Sequence, residues 1–477
     1  MMRSACLLFI RTVLVLAWKT GHATSRLIPH GRMAFGGARA YLNHRRDANA
    51  ACCAAWNESS VVAWTWEPSK QDLIAALARV GRLPPPFPSN ATCEPPVLSA
   101  RPTCTGATAF TGTALPAPRR IAYMMQIGFE ADTLEIALRE VMDVVDVVFL
   151  VESTRSHNSQ GKEKRAGKPL LWEHLKGTER FQFAPRVKVV HVVMDDAETQ
   201  GAAQATGSDI WTMEALQTTR GVERVKQWAN ATGALGARDL FISGDADELL
   251  ARPTLHQLRW CELSDSVVSS AIWMPMGRLD AAIQTDWPAP GIPLSLALPT
   301  VYAWGEVASG RMAGGRMHSL SKDRPAGAWK TTRGGMHMTN PAFMPLVMVK
   351  ELTATEYAGQ QQWANTTLAS LNQAQEEAYA LKQRPQWRAR MRDLGKLPAE
   401  ERAWLPHVPW WLACNPLRFP YWYGKPEPRN AALLYVLQQV ANNASYEDVD
   451  TCFRERFLKE KLSHSLALHA GDLEQGE

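Results

Sequence analysis

The stretch Asp239-Leu-Phe-Ile-Ser-Gly-Asp-Ala-Asp-Glu248 is an apolar run of strand length that ends in three carboxylates. Residues 239–243 read as a short buried strand, and the acids emerge at its carboxyl end. Residues two apart in a strand share a direction, which sends Asp245 and Asp247 to the same side. Burying that much negative charge is costly unless a cation pairs with it. A helix N-terminus carrying stabilising acids is the alternative reading of the same residues. The chain also contains its own control: Asp448-Val-Asp450 lacks a preceding apolar strand and reads as a solvated surface.

Working outward, apolar runs of strand length alternate with helical patterns. Ile121 to Ile127 reads as a strand, Thr133 to Met142 as a helix, and Val147 to Val151 as a β-branched strand of the kind buried in parallel sheets. Val187 to Val193 repeats that pattern, Asp209 to Asn230 is a long helix, and Pro253 to Cys261 is a further helix opened by proline. Such alternation predicts an α/β fold, a doubly wound and mostly parallel sheet with helices on both faces. Ligands of such sheets bind beyond the carboxyl ends of the strands. Residues 284–335, rich in Gly, Pro and Trp, are expected to form loops and hairpins, and 366–392 a basic helical stretch. The expected partition is 1–23 as a signal peptide or anchor, 24–118 as a Pro-rich stem with one short helix near 71–80, 119–430 as the α/β domain and 431–477 as a helical tail.

Composition bounds the function classes. With 477 residues, 46% hydrophobic and 21% charged, the chain can bury a sizeable core and is neither disordered throughout nor a polytopic membrane protein. A net charge of +5, with Lys and Arg spread among acids, argues against nucleic acid as a partner. Eighteen Trp residues can stack on sugar rings or fill cores.

The first acidic residue is Asp47, and residues 5–18 are apolar except for Arg11 and Thr12. That segment is short for a membrane span and resembles a secretory signal, with small residues at Gly21-His-Ala23 for cleavage. An Arg-rich organelle transit peptide is the alternative, and membrane contact is expected only through this segment if it stays uncleaved. Five N-x-Ser/Thr sequons, at Asn57, Asn90, Asn230, Asn365 and Asn443, lean towards the secretory lumen. Beyond the leader stand Cys52, Cys53, Cys93, Cys104, Cys261, Cys414 and Cys452, without a metal-type C-x-x-C pair. Disulfides in an oxidising compartment are expected, with the pairing open and one cysteine left over.

Hard oxygen ligands at Asp245 and Asp247 suit Mn²⁺ or Mg²⁺, which would neutralise a diphosphate leaving a sugar. Glu248 could orient Asp247 or contact a donor ribose. Glu152 and Arg155 follow the second buried strand, where they could touch donor or acceptor or form a strand-end salt bridge. Glu214, Gln217 and Arg220 fall on adjacent helical positions, as an ordinary surface pair also would. His337, after the glycine pair of Gly334-Gly-Met-His-Met338, is a candidate metal or phosphate ligand or a structural histidine.

Several stretches together resemble one family. They are residues 130–136, Asp146-Val-Val-Phe-Leu-Val-Glu-Ser153, Gly167-Lys-Pro-Leu170, residues 239–248, Leu258-Arg-Trp-Cys-Glu262, residues 350–357, and Leu405-Pro-His-Val408 through Phe419. In this order they resemble the β-1,4-mannosyl-glycoprotein 4-β-N-acetylglucosaminyltransferases, the family that includes the enzyme adding bisecting GlcNAc to N-glycans. The resemblance implies a GT-A type fold, UDP-GlcNAc as donor, a mannose of an N-glycan as acceptor, a divalent metal, inversion at the anomeric carbon and a Golgi location. Asp245 and Asp247 match the family's metal and donor motif, and Glu152 and Glu214 match its acidic positions. Together with Glu248 these two are the catalytic candidates. Gly335-Met-His-Met338 keeps the histidine of the family's Gly-Trp-His-Cys stretch. An inverting transfer also needs a base opposite the leaving group, for which Asp280, Asp286, Glu306 and Glu351 are downstream candidates.

Overall fold

The computed structural model describes residues 93–128, 130–155, 157, 170–195, 197–199, 212–275, 279, 281–284, 289, 292, 294–311, 330–338, 391–393, 408–415, 419 and 422. The chain divides into two compact units, Met1–Ala55 and Trp56–Glu477, and every described residue belongs to the second. The expected signal segment, the helix near 71–80, the tail after 430, Asp448 and Asp450, Cys52, Cys53 and Cys452, and all sequons but that of Asn230 lie outside the described residues.

A short strand, β1 (Phe110–Ala114), precedes the alternating elements β2 (Ile121–Ile127), α1 (Ala131–Val141), β3 (Val147–Ser153), α2 (Leu171–Leu175), β4 (Val189–Met194), α3 (Thr212–Thr232) and β5 (Leu240–Asp245). These four long strands lie parallel in the order β4-β3-β2-β5. The chain winds outward from β2 to β4, then returns through α3 to place β5 on the other side of β2. The winding therefore reverses between β2 and β5, where Gln126 stands opposite Asp245. At such a switch point the carboxyl ends of neighbouring strands open a crevice.

Beyond β5 the sheet changes character. The next elements are β6 (Glu248–Leu250), α4 (Arg252–Trp260), β7 (Cys261–Leu263), β8 (Val267–Trp273), β9 (Ala281–Ile283), β10 (Ser295–Leu296), β11 (Thr300–Ala303), α5 (Trp304–Ala308) and β12 (Thr331–His337). β11 runs antiparallel between β5 and β8, β12 runs parallel to β8, and β6 closes the far edge antiparallel to β12. The sheet is thus mixed rather than mostly parallel. Parallel neighbours need a crossover of about a dozen residues or more, usually helical, and that is how β2 to β5 are joined through α1, α2 and α3. Only two residues separate β6 from β5, yet β6 pairs with β12 and not with β5. The sheet must curl to bring its last strand back beside the end of β5.

Strand alternation divides the core in two. Ile121, Tyr123, Met125 and Ile127 face α1 and α4, whereas Ala122 and Met124 join Phe149, Val151, Val225 and Phe241 under α3. A Cβ at Gly221 of α3 would collide with the Met124 sulfur, so glycine lets this helix lie close on the sheet. Helices therefore cover both faces, as the alternation predicts. Among the described residues no helix is long and apolar enough to cross a membrane.

Two peripheral segments are tied to this body. β1 pairs with β7, and disulfides join Cys104 to Cys261 and Cys93 to Cys414. Residues 93–114, read from sequence as the end of a stem, are therefore part of the packed unit. The short helix α6 (Trp410–Cys414) docks on α1, where Glu140 accepts the Trp410 backbone N–H at 3.1 Å and Glu135 accepts the Trp411 indole N–H at 2.9 Å. Between them Arg139 lies over the rings of Phe183 and Trp411 at 3.8 and 4.0 Å. Met391–Asp393, at the end of the stretch expected to be helical, forms strand β13 paired with β9.

Candidate active site

The end of β5 places the three acids differently from one another. Asp245 and Gln126 are register partners on parallel strands, so their side chains share the face under α3. The Ala246-Asp247 turn then reverses the chain, and Glu248 opens β6. Glu248 folds back beneath the turn, where its Oε2 accepts the Asp245 backbone N–H at 3.1 Å. Room for this exists because residue 244 is glycine: a Cβ there would sit 2.8 Å from both Glu248 Oε2 and Pro299 Cβ. From the opposite face the Tyr123 hydroxyl donates to the Glu248 carbonyl at 2.7 Å. Burial, reinforced by the negative charges of Glu248 and Asp245, pushes the Tyr123 phenol well above its ordinary pKa.

Asp247, only 5% exposed, meets a histidine from β12. Its Oδ2 lies 3.5 Å from His337 Nε2, and its carbonyl accepts the Met338 backbone N–H at 2.7 Å. The glycine pair before His337 has a specific task. Arg333 pairs with Ala271 and Met336 with Trp273, so Gly334 and Gly335 together oppose the single residue Ile272. That is a β-bulge, which bends a strand and re-aims the side chains after it. Both glycines have positive φ, 106° and 151°. A Cβ on Gly335 would collide with the Leu249 carbonyl and Ile272, so the bulge tolerates only glycine there.

Glu152, expected to reach the crevice as a catalytic acid, is instead a buried anchor. It is 0% exposed, and its two oxygens accept the backbone N–H groups of Leu171 and Trp172 at the start of α2. His191 Nε2 contacts the same carboxylate at 3.1 Å, while its Nδ1 contacts Glu173 at 3.1 Å. Glu173, held mainly by Lys176 and then by His191, sits below the usual carboxylate range. A carboxylate enclosed in this way is not open to a substrate hydroxyl.

Glu214 and Gln217 turn inward from the first turns of α3 and are 2% and 1% exposed, whereas Arg220 points outward to Glu198 and Glu223. Gln217 donates to the Val151 carbonyl at 2.7 Å and contacts His157. Arg155 is half-buried just after β3, its backbone N–H given to Ser153 Oγ at 3.1 Å. Of the downstream base candidates, Glu306 is paired with Arg311 at 2.8 Å. Asp280, Asp286 and Glu351 lie outside the described residues. Sequence reasoning missed Gln126 and Tyr123, although a glutamine near the end of the apolar run Ile121–Ile127 was a visible signal.

Fit to a divalent cation rests on Asp247 and His337. Among the described residues no three His, Cys, Asp or Glu side chains converge on one point. What converges is a carboxylate and an imidazole, a donor set that suits Mn²⁺ and leaves other positions to substrate oxygens and water. The His337 Nδ1 is buried without a hydrogen-bond partner among the described residues.

Comparison with known proteins covers part of these residues. Residues 103–272 match the sequence model of glycosyltransferase family 17, a span that contains Glu152, Arg155, Glu214, Asp245, Asp247 and Glu248 but not His337. The chain is 29% identical over 135 residues to the beta-1,4-mannosyl-glycoprotein 4-beta-N-acetylglucosaminyltransferase of Rattus norvegicus, an alignment covering 28% of this chain and 22% of that protein. The chain thus spans about a fifth of the length of the curated relative it matches. Residues 103–272, 170 of the chain's 477 residues, are thus similar to glycosyltransferase family 17.

Proposed function

We propose that the chain is a glycosyltransferase that moves N-acetylglucosamine from UDP-GlcNAc to a mannose of an N-linked glycan, with inversion, in the Golgi lumen, on a GT-A type fold. The observation that carries this reading is the coincidence of the family match with the switch point of the sheet, where the Asp245–Glu248 turn stands at the carboxyl end of β5. The named relative supports the choice of sugar and acceptor. Two disulfides in the packed unit, and the exposed Asn230 of one sequon, agree with an oxidising lumen. An uncleaved residue 1–23 segment would then be the membrane attachment, and the residues before Cys93 the stem.

In this reading Asp247 and His337 hold a Mn²⁺ or Mg²⁺ ion, which when bound supplies positive charge to the departing diphosphate. Asp245 and Arg155 contact the donor from the ends of β5 and β3. Glu248 keeps the turn in shape through the Asp245 amide, and Glu152 fixes the start of α2, so both position rather than react. Glu214, at the first turn of α3, is the remaining acidic candidate on the donor side.

A donor screen with the purified chain and Mn²⁺, comparing wild type with Asp247→Asn, tests the proposal. UDP-GlcNAc turns over in the wild type, and the variant loses at least about a hundredfold in rate, the scale on which a charge-stabilising group acts. Equal rates would remove Asp247 from the site, and sugar binding without any turnover would replace the transferase with a carbohydrate-binding protein.

A further inference from the structure

We infer that Gln126 is the residue that reads the base of the donor nucleotide, its side-chain oxygen accepting the imide N–H of uracil. The inference rests on the reading of the chain as a nucleotide-sugar transferase.

Gln126 is a polar residue near the carboxyl end of a strand whose other positions are apolar or aromatic, and it is only 9% exposed. It stands at the switch point, in register with Asp245 and on the same face. Its amide orientation follows from the neighbouring hydroxyl. Thr218 donates its proton to the Glu214 carbonyl at 3.0 Å, so Thr218 Oγ1 has no second proton and must accept from the Gln126 NH₂ group, also at 3.0 Å. The amide is thereby locked with Oε1 away from Thr218. That oxygen is buried and has no hydrogen-bond partner among the described residues. Buried polar atoms are nearly always paired, so an unpaired acceptor at the switch point calls for a partner that the described residues do not supply.

Because the orphan atom is an acceptor, its partner must be a donor. Uracil presents an N–H at its N3 position, whereas cytosine presents an unprotonated nitrogen there. A site built around one fixed acceptor accepts the first base and leaves two lone pairs facing each other with the second, so discrimination follows from a single atom.

Calorimetric titration of the full chain with UDP and with CDP, each with Mn²⁺, tests this. Wild type binds UDP at least about tenfold more tightly than CDP, the effect of one well-made hydrogen bond. Gln126→Met keeps the volume, removes the acceptor and brings the ratio to within about twofold. Thr218→Val provides a second arm that leaves Gln126 in place: it frees the amide to rotate, and the preference falls part of the way. An unchanged preference in Gln126→Met, or in Thr218→Val should the first variant fail to fold, overturns the assignment while leaving the transferase reading intact. A wild type that binds neither nucleotide overturns both. Equal wild-type binding of UDP and CDP places the partner of Gln126 elsewhere than the base and overturns this inference alone.

Discussion

The imidazole of His337 stands 3.5 Å from the carboxylate of Asp247, although the two residues lie far apart in sequence. Their meeting depends on the antiparallel ladder between β6 and β12, in which His337 is the register partner of Glu248. The ladder in turn depends on the bulge at Gly334 and Gly335.

Gly335→Ala therefore separates a backbone requirement from side-chain chemistry. The added methyl collides with the Leu249 carbonyl in a conformation that L side chains rarely adopt. A loss of about 1–3 kcal/mol in chemical denaturation is expected, from strain at a residue with positive φ. A variant as stable as wild type would show that β12 does not need the bulge.

Glu152→Gln tests the buried anchor. The substitution keeps the size but turns one acceptor oxygen into a donor facing a backbone N–H, and removes the charge next to His191. A stability loss of about 1–3 kcal/mol is expected, with faster hydrogen exchange at the Leu171 and Trp172 amides. A fall in kcat at unchanged stability and unchanged exchange would instead return Glu152 to the reaction.

Alkaline pH reports on Tyr123. Its phenol pKa is raised in the fold above the ordinary value of 10.0, so the neutral form is favoured by folding. The contribution to stability is complete below pH 10.0 and declines as pH rises above that value, because the unfolded chain ionises first. Tyr123→Phe should cost about 1 kcal/mol at neutral pH through the lost bond to the Glu248 carbonyl, and should flatten the alkaline decline. Urea midpoints measured across that range check both parts.

Cys104 and Cys261, separated by 157 residues, fasten the segment before β1 to the end of α4. Replacing both with serine lengthens the unfolded chain's freedom and should lower stability by up to about 5 kcal/mol in the loop-entropy account. The Tm of the double variant, compared with that of wild type under non-reducing conditions, gives the measurement, and equal values would show that this disulfide adds no stability.

Much of the first half of the sheet was legible in local pattern. Runs such as Val147–Val151 and Ile121–Ile127 are too continuously apolar to face water, and each sits between helical periods, so their place in a parallel core followed from hydropathy and length. The acids of Asp245 to Glu248 were visible for the same reason, as charge at the end of a buried strand. The second half was not legible, because antiparallel β11 and the reversed edge strand β6 are fixed by partners distant in sequence, to which no local period points.

What the sequence by itself determined is the run of strands and helices from β2 to β5, together with α4, and the position of the carboxylates at a strand end, since both depend on residues that are neighbours along the chain. Tertiary structure alone decided where each of those acids sits. It buried Glu152 under a helix N-terminus, folded Glu248 back beneath its own turn, brought His337 to Asp247 through a bulge and set Gln126 beside Asp245. Each of those outcomes is a contact between separate elements, and hydrogen-bond partners across a curled sheet are chosen by geometry that composition and periodicity do not encode.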